Sequence, residues 1–407
     1  MPGTNSKLTI AKAVSASFSE EVAFVSQLVK AKSANPYTPQ DSPLHETVEG
    51  EVPSLIFGKL QEIGLKPAYV GPSRERMNVV AEWGEKRGRN VLMFNGHMDT
   101  APGDPKNEVG LFSGTVRAGR LYGLGALDMK ASLAAYIYAV KALKTCGIKL
   151  TGKLYLAFVV DEESGACSKY GTQYLLESGV LPKVCVIGEH GSEHVRIGQR
   201  GVYRFKIVVK GKMVHTGMSA WERGEDGHNA VVDMGRVIAA LQDMQIPFKF
   251  SKMFETRRPV FTFPTKIEGG LALNVVPERC EAFGDVRLLP GNSDSQIKLL
   301  MIEKLVKLGI TYEIVDLVYA PAVEIDPHEP IVLALQKAAK TVLGVVPTPR
   351  ISGPATDGWM FVKRDIPTIV GFGPDGGGVH ERKEWVDLAS LEKVTQVYAQ
   401  LIADYLG

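Results

Sequence analysis

Between Ser19 and Lys30 the apolar residues Val22, Phe24, Val25 and Leu28 recur at spacings that bring them to one side of a helix, and Asn35-Pro36-Tyr37-Thr38-Pro39 closes that segment. Four short apolar runs then read as buried strands: Val91-Leu92-Met93-Phe94, Leu154 to Val160, Val184-Cys185-Val186-Ile187, and Pro367 to Phe372. An alanine-rich helical stretch, Ala131 to Leu143, lies between the first two. Apolar strands alternating with helices predict an α/β protein with a mostly parallel sheet covered on both faces. In such sheets functional side chains gather on the loops beyond the strands' carboxyl ends.

The texture changes near Val202. Tyr203 to Val209 alternates as a half-exposed antiparallel strand does, and Asn229 to Met244 is amphipathic through Val231, Met234, Val237, Ile238 and Leu241. A strand-like Cys280 to Leu288 and a second amphipathic helix, Ser295 to Leu308, stopped by Gly309, complete the unit. The pattern predicts an inserted α+β domain over 202–316, with 1–201 and 317–407 forming the main domain.

With 407 residues the chain has room for two or three domains at roughly 150 residues each. Apolar residues at 45% and charged residues at 23% describe a folded, soluble protein. A net charge of +2 excludes the basic footprint of a nucleic-acid binder. No apolar run reaches the roughly 18 residues of a membrane span, so no membrane partner is expected. The cysteines, Cys146, Cys167, Cys185 and Cys280, form no C-x-x-C pair, which argues against a zinc knuckle or disulfide framework and for a reducing, cytoplasmic setting.

Each apolar run is followed by polar residues. After the first comes Gly96-His97-Met98-Asp99-Thr100, a histidine with a carboxylate two residues on. Gly123-Leu124-Gly125-Ala126-Leu127-Asp128 opens the alanine-rich helix. The second strand ends in Asp161-Glu162-Glu163-Ser164-Gly165, the third in Gly188-Glu189-His190, and the last is followed by Gly376-Gly377-Gly378-Val379-His380-Glu381. Taken singly, the His-x-Asp is a surface loop, Asp128 an N-cap and the acidic run a solvated turn. Three adjoining like charges repel unless a cation gathers them, however, and hard divalent cations take carboxylate oxygens. Jointly, two histidines and several carboxylates on loops after apolar strands have the composition of a two-metal hydrolytic site. A nucleotide enzyme is disfavoured, because neither glycine cluster has G-x-G-x-x-G spacing.

The order of these motifs, from Asn35-Pro36 to His380-Glu381-Arg382-Lys383-Glu384-Trp385-Val386, resembles the M20 family of metallopeptidases and deacylases. The resemblance implies that His97 and Glu189 hold one divalent ion, Glu163 and His380 a second, and that Asp128 bridges them. The ions would be zinc, with cobalt or manganese as alternatives. It further implies that Asp99 accepts the other ring proton of His97, that Glu162 is the general base, and that the Asp128–Met129 peptide is cis. The inserted unit resembles the family's lid or dimerisation domain, which implies a homodimer. Within it, His215, in Gly211-Lys212-Met213-Val214-His215-Thr216-Gly217, would polarise the scissile carbonyl in the neighbouring subunit. Asn274 and Arg287 match positions that hold the substrate's carboxylate; read as residues alone, they make a strand salt bridge. Gly353, in Ser352-Gly353-Pro354-Ala355-Thr356-Asp357-Gly358, matches a loop lining the substrate's backbone side. The sequence departs from the family at Leu124, Leu127 and His190.

The implied activity is removal of an acetyl- or succinyl-type acyl group from an N-acyl amino acid. A carboxypeptidase or dipeptidase acting on short peptides is the sister reading, and a catalytically silent binding subunit is the reading from another class. Glutamate at the third ligand position, Glu189, resembles the deacylase branches.

Overall fold

The computed structural model describes residues 4–38, 41–85, 90–103, 110–164, 168–254 and 257–407; Pro39, Gly165 and Cys167 lie outside them. Two compact units are present. One comprises Met1–Gln199 with Glu324–Gly407, and the other is Arg200–Val323.

The first unit is built on a six-stranded sheet in the order Ala68–Val70, Asn78–Gly84, Lys153–Val159, Val91–His97, Val184–Ile187 and Thr368–Ile369. Three neighbouring pairs are parallel and two are antiparallel. The expected mostly parallel sheet is therefore a mixed one. The reason is connectivity: Ala68–Val70 and Asn78–Gly84 are joined by a short turn, and strands so joined pair antiparallel, whereas parallel neighbours need a long crossover. The alanine-rich helix, Ala131–Thr145, is such a crossover, and it is buried on every side from Ala131 to Val140. Tyr136 from this helix stacks on Phe94 of the central strand with ring centroids 4.7 Å apart, and Tyr398 of the C-terminal helix Leu388–Leu406 closes the cluster at 4.9 and 5.2 Å.

The N-terminal helix runs over Thr4–Lys30, well before the expected start at Ser19. Its buried side is Ile10, Val14, Ser17, Glu21, Val25 and Leu28, a face whose polar members hide it from an apolar count. It packs against Ala131–Thr145 and Leu388–Leu406. Strand register sets where the ligand-bearing loops emerge. His97 lies opposite Val159, and Ile187 lies opposite Asn95, so the loops after three strands leave the sheet together at the strands' carboxyl ends.

The second unit is a four-stranded antiparallel sheet, ordered Val260–Gly269, Arg279–Leu288, Gly201–Lys210 and Tyr312–Ala320, the last strand running across residue 316. Tyr203, Phe205, Ile207 and Val209 alternate into a core shared with Ala282, Val286, Met234, Val237, Ile297 and Met301. The helices supplying that core, Ala230–Leu241 and Asp294–Leu305, are capped by Asn229 and Ser293, whose side chains accept the first free N–H groups. Val231, expected on the apolar side, is 38% exposed. Among the described residues no helix is long and apolar enough to cross a membrane, and Cys146, Cys185 and Cys280 are free thiols.

Candidate metal centre

His97 ends the central strand with its side chain buried. Its Nδ1 meets the main-chain carbonyl of Asp99 at 3.0 Å, so the neutral ring carries its proton there and turns the bare Nε2 inward. Nε2 lies 3.2 Å from Asp128 Oδ1 and 3.8 Å from Glu189 Oε1. The carboxylate of Asp99, assigned by resemblance to the ring proton, stands 3.6 Å from Nδ1 and also accepts the amide N–H groups of Glu162 and Glu163.

Asp128 sits in a kinked turn, Ala126–Lys130, with a non-helical backbone at Asp128 and Met129, followed directly by the buried helix. Gly125 enters that turn at φ +81, and a Cβ there would lie 2.4 Å from Thr100 Cγ2, so only glycine fits. The Asp128–Met129 peptide is cis. Glu384 Oε1 accepts the N–H groups of both Leu127 (2.8 Å) and Asp128 (3.0 Å). Lys130 Nζ donates to the carbonyls of Leu28 and Ala31 at the end of the first helix. Leu124 and Leu127, the two departures from the family pattern, are buried packing residues.

The other metal-side face comes from His380, which takes φ +62 after Gly378 and is half-exposed. Its Nε2 lies 3.2 Å from Asp128 Oδ2 and 3.1 Å from Glu163 Oε1. Two sets result, His97–Asp128–Glu189 and Asp128–Glu163–His380, each with its ligand atoms within 4.8 Å of one another and with one oxygen of Asp128 in each.

The electrostatics fit a cationic occupant. Burial pushes the Glu189 carboxyl up to about 8, with the Asp128 charge adding to it. Burial likewise raises Glu162 and Glu163, with neighbouring acids adding to both. Burial acts against ionisation of Asp128 too, yet hydrogen bonds from His380 and His97 hold it well below the usual range. The His380 ring is drawn up to about 10 by Asp128 and then Glu163. Acids crowded this way around two imidazoles are a donor set suited to divalent ions. His190, beside Glu189, is lowered by burial and points its Nδ1 to within 3.9 Å of Glu189 Oε2.

The remaining expected site residues are set differently. Gly353 follows the strand Thr348–Ser352, and, its chain neighbours aside, no described residue places an atom within 4 Å of where its Cβ would be. In the second unit, His215 bridges to Val275; Gly217 N–H donates to its Nδ1 at 3.0 Å, and Nδ2 of the Asn274 side-chain amide, itself a donor, lies 3.1 Å from its Nε2. Arg287 is paired with Asp285 on its own strand at 2.8 Å, and Arg204 reaches the other oxygen of Asp285. Three residues to which the sequence pattern gives no role, Arg76, Asn35 and Glu384, hold the ligand loops from a distance. No local signal marks them, since each acts on residues 60 or more positions away.

The model of Peptidase family M20/M25/M40 matches residues 93–404. The chain belongs to this family. This M20 chain is 28% identical over 416 residues to an N-formyl-4-amino-5-aminomethyl-2-methylpyrimidine deformylase of Bacillus subtilis, covering 92% of each. It is 30% identical over 359 residues to a succinyl-diaminopimelate desuccinylase of Gluconacetobacter diazotrophicus, covering 84% of this chain and 87% of that one. Its fold matches the di-peptidase Dug1p of Saccharomyces cerevisiae with a TM-score of 0.76 at 16% identity, covering 99% of both. The two candidate metal sets together with family membership make the M20 chain a metal-dependent hydrolase.

Proposed function

We propose that the chain removes a small acyl group from the nitrogen of an N-acyl amino acid, as an amide hydrolase carrying two divalent ions, zinc in preference to cobalt or manganese. The observation that carries this reading is Glu162, a buried carboxyl beside His97 and the acids of both sets. Glu189 as the third ligand and the deformylase and desuccinylase relatives support acyl removal over peptide cleavage. Bound at the two sets, the ions supply a water acidified from about 15.7 to near 7 and a Lewis acid for the scissile carbonyl.

The residues of the chain do the rest. His97, Glu189, Glu163 and His380 would hold the ions, with Asp128 common to both sets. Glu162 accepts the water proton and passes it to the leaving nitrogen as the C–N bond breaks and the C–O bond forms, giving a carboxylate and a free amine. His215 donates a ring proton to the scissile carbonyl oxygen in the neighbouring subunit, Asn274 and Arg287 hold the substrate's carboxylate, and Gly353 lies on the loop that lines the substrate's backbone side. We further propose a homodimer through the second unit, whose strand Val260–Gly269 is a sheet edge with one neighbour, and a cytoplasmic setting in keeping with its free thiols.

A panel of N-formyl, N-acetyl and N-succinyl amino acids set against dipeptides, on metal-reconstituted enzyme, tests the reading. An N-acyl amino acid should lead in kcat/KM by at least about tenfold. A dipeptide in the lead would replace it with the peptidase reading.

A further inference from the structure

Gln199 ends the strand His194–Gln199 and is wholly buried. Its Cα stands opposite Ser352, the last residue of the parallel neighbour Thr348–Ser352. Four residues further on, Thr356 returns to the same side chain: Gln199 Nε2 donates to the Thr356 carbonyl at 2.8 Å, and Thr356 Oγ1 donates to Gln199 Oε1 at 2.8 Å. One residue therefore holds both ends of the intervening Gly353-Pro354-Ala355, by strand register at one end and by a reciprocal pair of hydrogen bonds at the other. The three residues of this bow are partly or fully exposed, while Ser352, Thr356, Asp357 and Gly358 around it are buried.

The chain beyond the bow is fixed as well. Thr356 Oγ1 also accepts the N–H of Gly358 at 3.2 Å, and a Cβ on Gly358 would lie 2.4 Å from Val370 Cγ1, so the backbone there runs against the chain just after Thr368–Ile369. Asp357 Oδ2 accepts from Thr172 Oγ1 at 2.6 Å, and that hydroxyl accepts from Asn95 Nδ2, on the central strand, at 3.1 Å. The bow itself has no such support. Gly353 keeps the backbone freedom of a residue without a Cβ, and apart from its chain neighbours no described residue comes within 4 Å of where one would be. Its conformation therefore depends on its two ends. A receiving loop that is ordered only part of the time lowers apparent affinity by that fraction, because the ordering then falls on the substrate.

We propose that Gln199 is a positioning residue for substrate binding: it closes the bow from Ser352 to Thr356, so that the substrate meets Gly353, Pro354 and Ala355 already in place. The inference rests on the reading of Gly353 as lying on the loop that lines the substrate. Gln199 and Thr356 belong to neither metal set, so the clamp acts on binding and leaves the ions and the bond-breaking step alone.

Gln199→Ala removes both bonds, and Thr356→Val removes the hydroxyl at nearly constant shape, whereas Thr356→Ser keeps it. The full chain loaded with zinc is assayed with the N-acyl amino acid that leads the substrate panel. KM should rise about 5- to 25-fold in Gln199→Ala and about 2- to 10-fold in Thr356→Val, with kcat within about threefold of the parent and zinc content unchanged; Thr356→Ser should stay near the parent. Hydrogen exchange without substrate, followed by mass spectrometry, should be at least about threefold faster in the peptide 352–358 for Gln199→Ala and Thr356→Val, and unchanged in Val91–His97. Where Gln199→Ala does not fold, the pair Thr356→Val and Thr356→Ser decides. Unchanged exchange over 352–358 overturns the clamp. Faster exchange there with KM unmoved overturns the role in binding and, with it, the placing of Gly353 beside the substrate. Lower kcat with KM unmoved, or loss of zinc, also overturns the proposal, because Gln199 would then act on the chemistry or the ions. If a dipeptide leads the panel, it becomes the assay substrate and the expected ratios are the same, so failure of the acyl-removal reading is told apart from failure of this one.

Discussion

Glu21 offers a stability test away from the ligands. It lies on the buried face of the N-terminal helix, where its Oε1 accepts from Thr395 Oγ at 2.6 Å and its Oε2 has no partner among the described residues. Burial, with the nearby Glu392 charge adding to it, lifts its carboxyl from 4.5 to about 8. Between those values the folded chain keeps a proton that the unfolded chain releases. The stabilisation is therefore complete below pH 4.5 and is lost as the pH rises through 8. At about 1.4 kcal/mol for each tenfold change, the loss amounts to roughly 3 kcal/mol at pH 7 and on the order of 4 to 5 kcal/mol at pH 9. Glu21→Gln keeps the shape and the oxygen that accepts from Thr395 and cannot ionise. Urea unfolding of both chains, followed by circular dichroism at pH 4, 7 and 9 with the same metal present, gives the difference at each pH, in which metal terms cancel. The variant should match the parent within about 1 kcal/mol at pH 4 and exceed it increasingly at pH 7 and 9. A difference independent of pH, or a variant less stable at pH 9, would refute the reasoning, because it would mean that Glu21 is ionised in place or solvated.

Glu162→Gln should retain two ions by elemental analysis and lose about 10²- to 10⁴-fold in kcat; near-full turnover would remove Glu162 from the role of base. Glu384→Ala deprives Leu127 and Asp128 of their shared acceptor and should weaken zinc about 10- to 100-fold, whereas Glu384→Gln, which keeps an accepting oxygen, should stay near the parent in a titration. Equal affinities for all three chains would show that the turn holds Asp128 unaided. His215→Ala homodimers should be nearly inactive, and subunit exchange with Glu162→Gln homodimers should restore part of the activity; exchange verified by mass spectrometry without recovery excludes a role in the neighbouring subunit.

Three of the candidate ligands, His97, Glu163 and Glu189, were legible because each stands just after a buried run. Val91–Phe94, Leu154–Val160 and Val184–Ile187 are apolar enough to be strands by themselves, and a polar cluster where such a strand ends has few uses. The αL stop at Gly309 was legible for a similar reason, since helix ends need partners supplied within a few residues. The N-terminal half of the first helix was not, because Ser17 and Glu21 occupy its buried face and break the apolar count. Nor was the mixed sheet: alternation tells a strand from a helix and leaves open which strands become neighbours, and in which direction, until connection lengths act in three dimensions. The supports of the centre were the least legible. Asp99 acts on residues 63 and 64 positions away, Arg76 on one 85 away and Glu384 on one 256 away. A carboxylate or guanidinium can serve any donor or acceptor the fold brings to it. Local pattern sets the kind of group at each position, and the register of the sheet and the packing around it choose its partner.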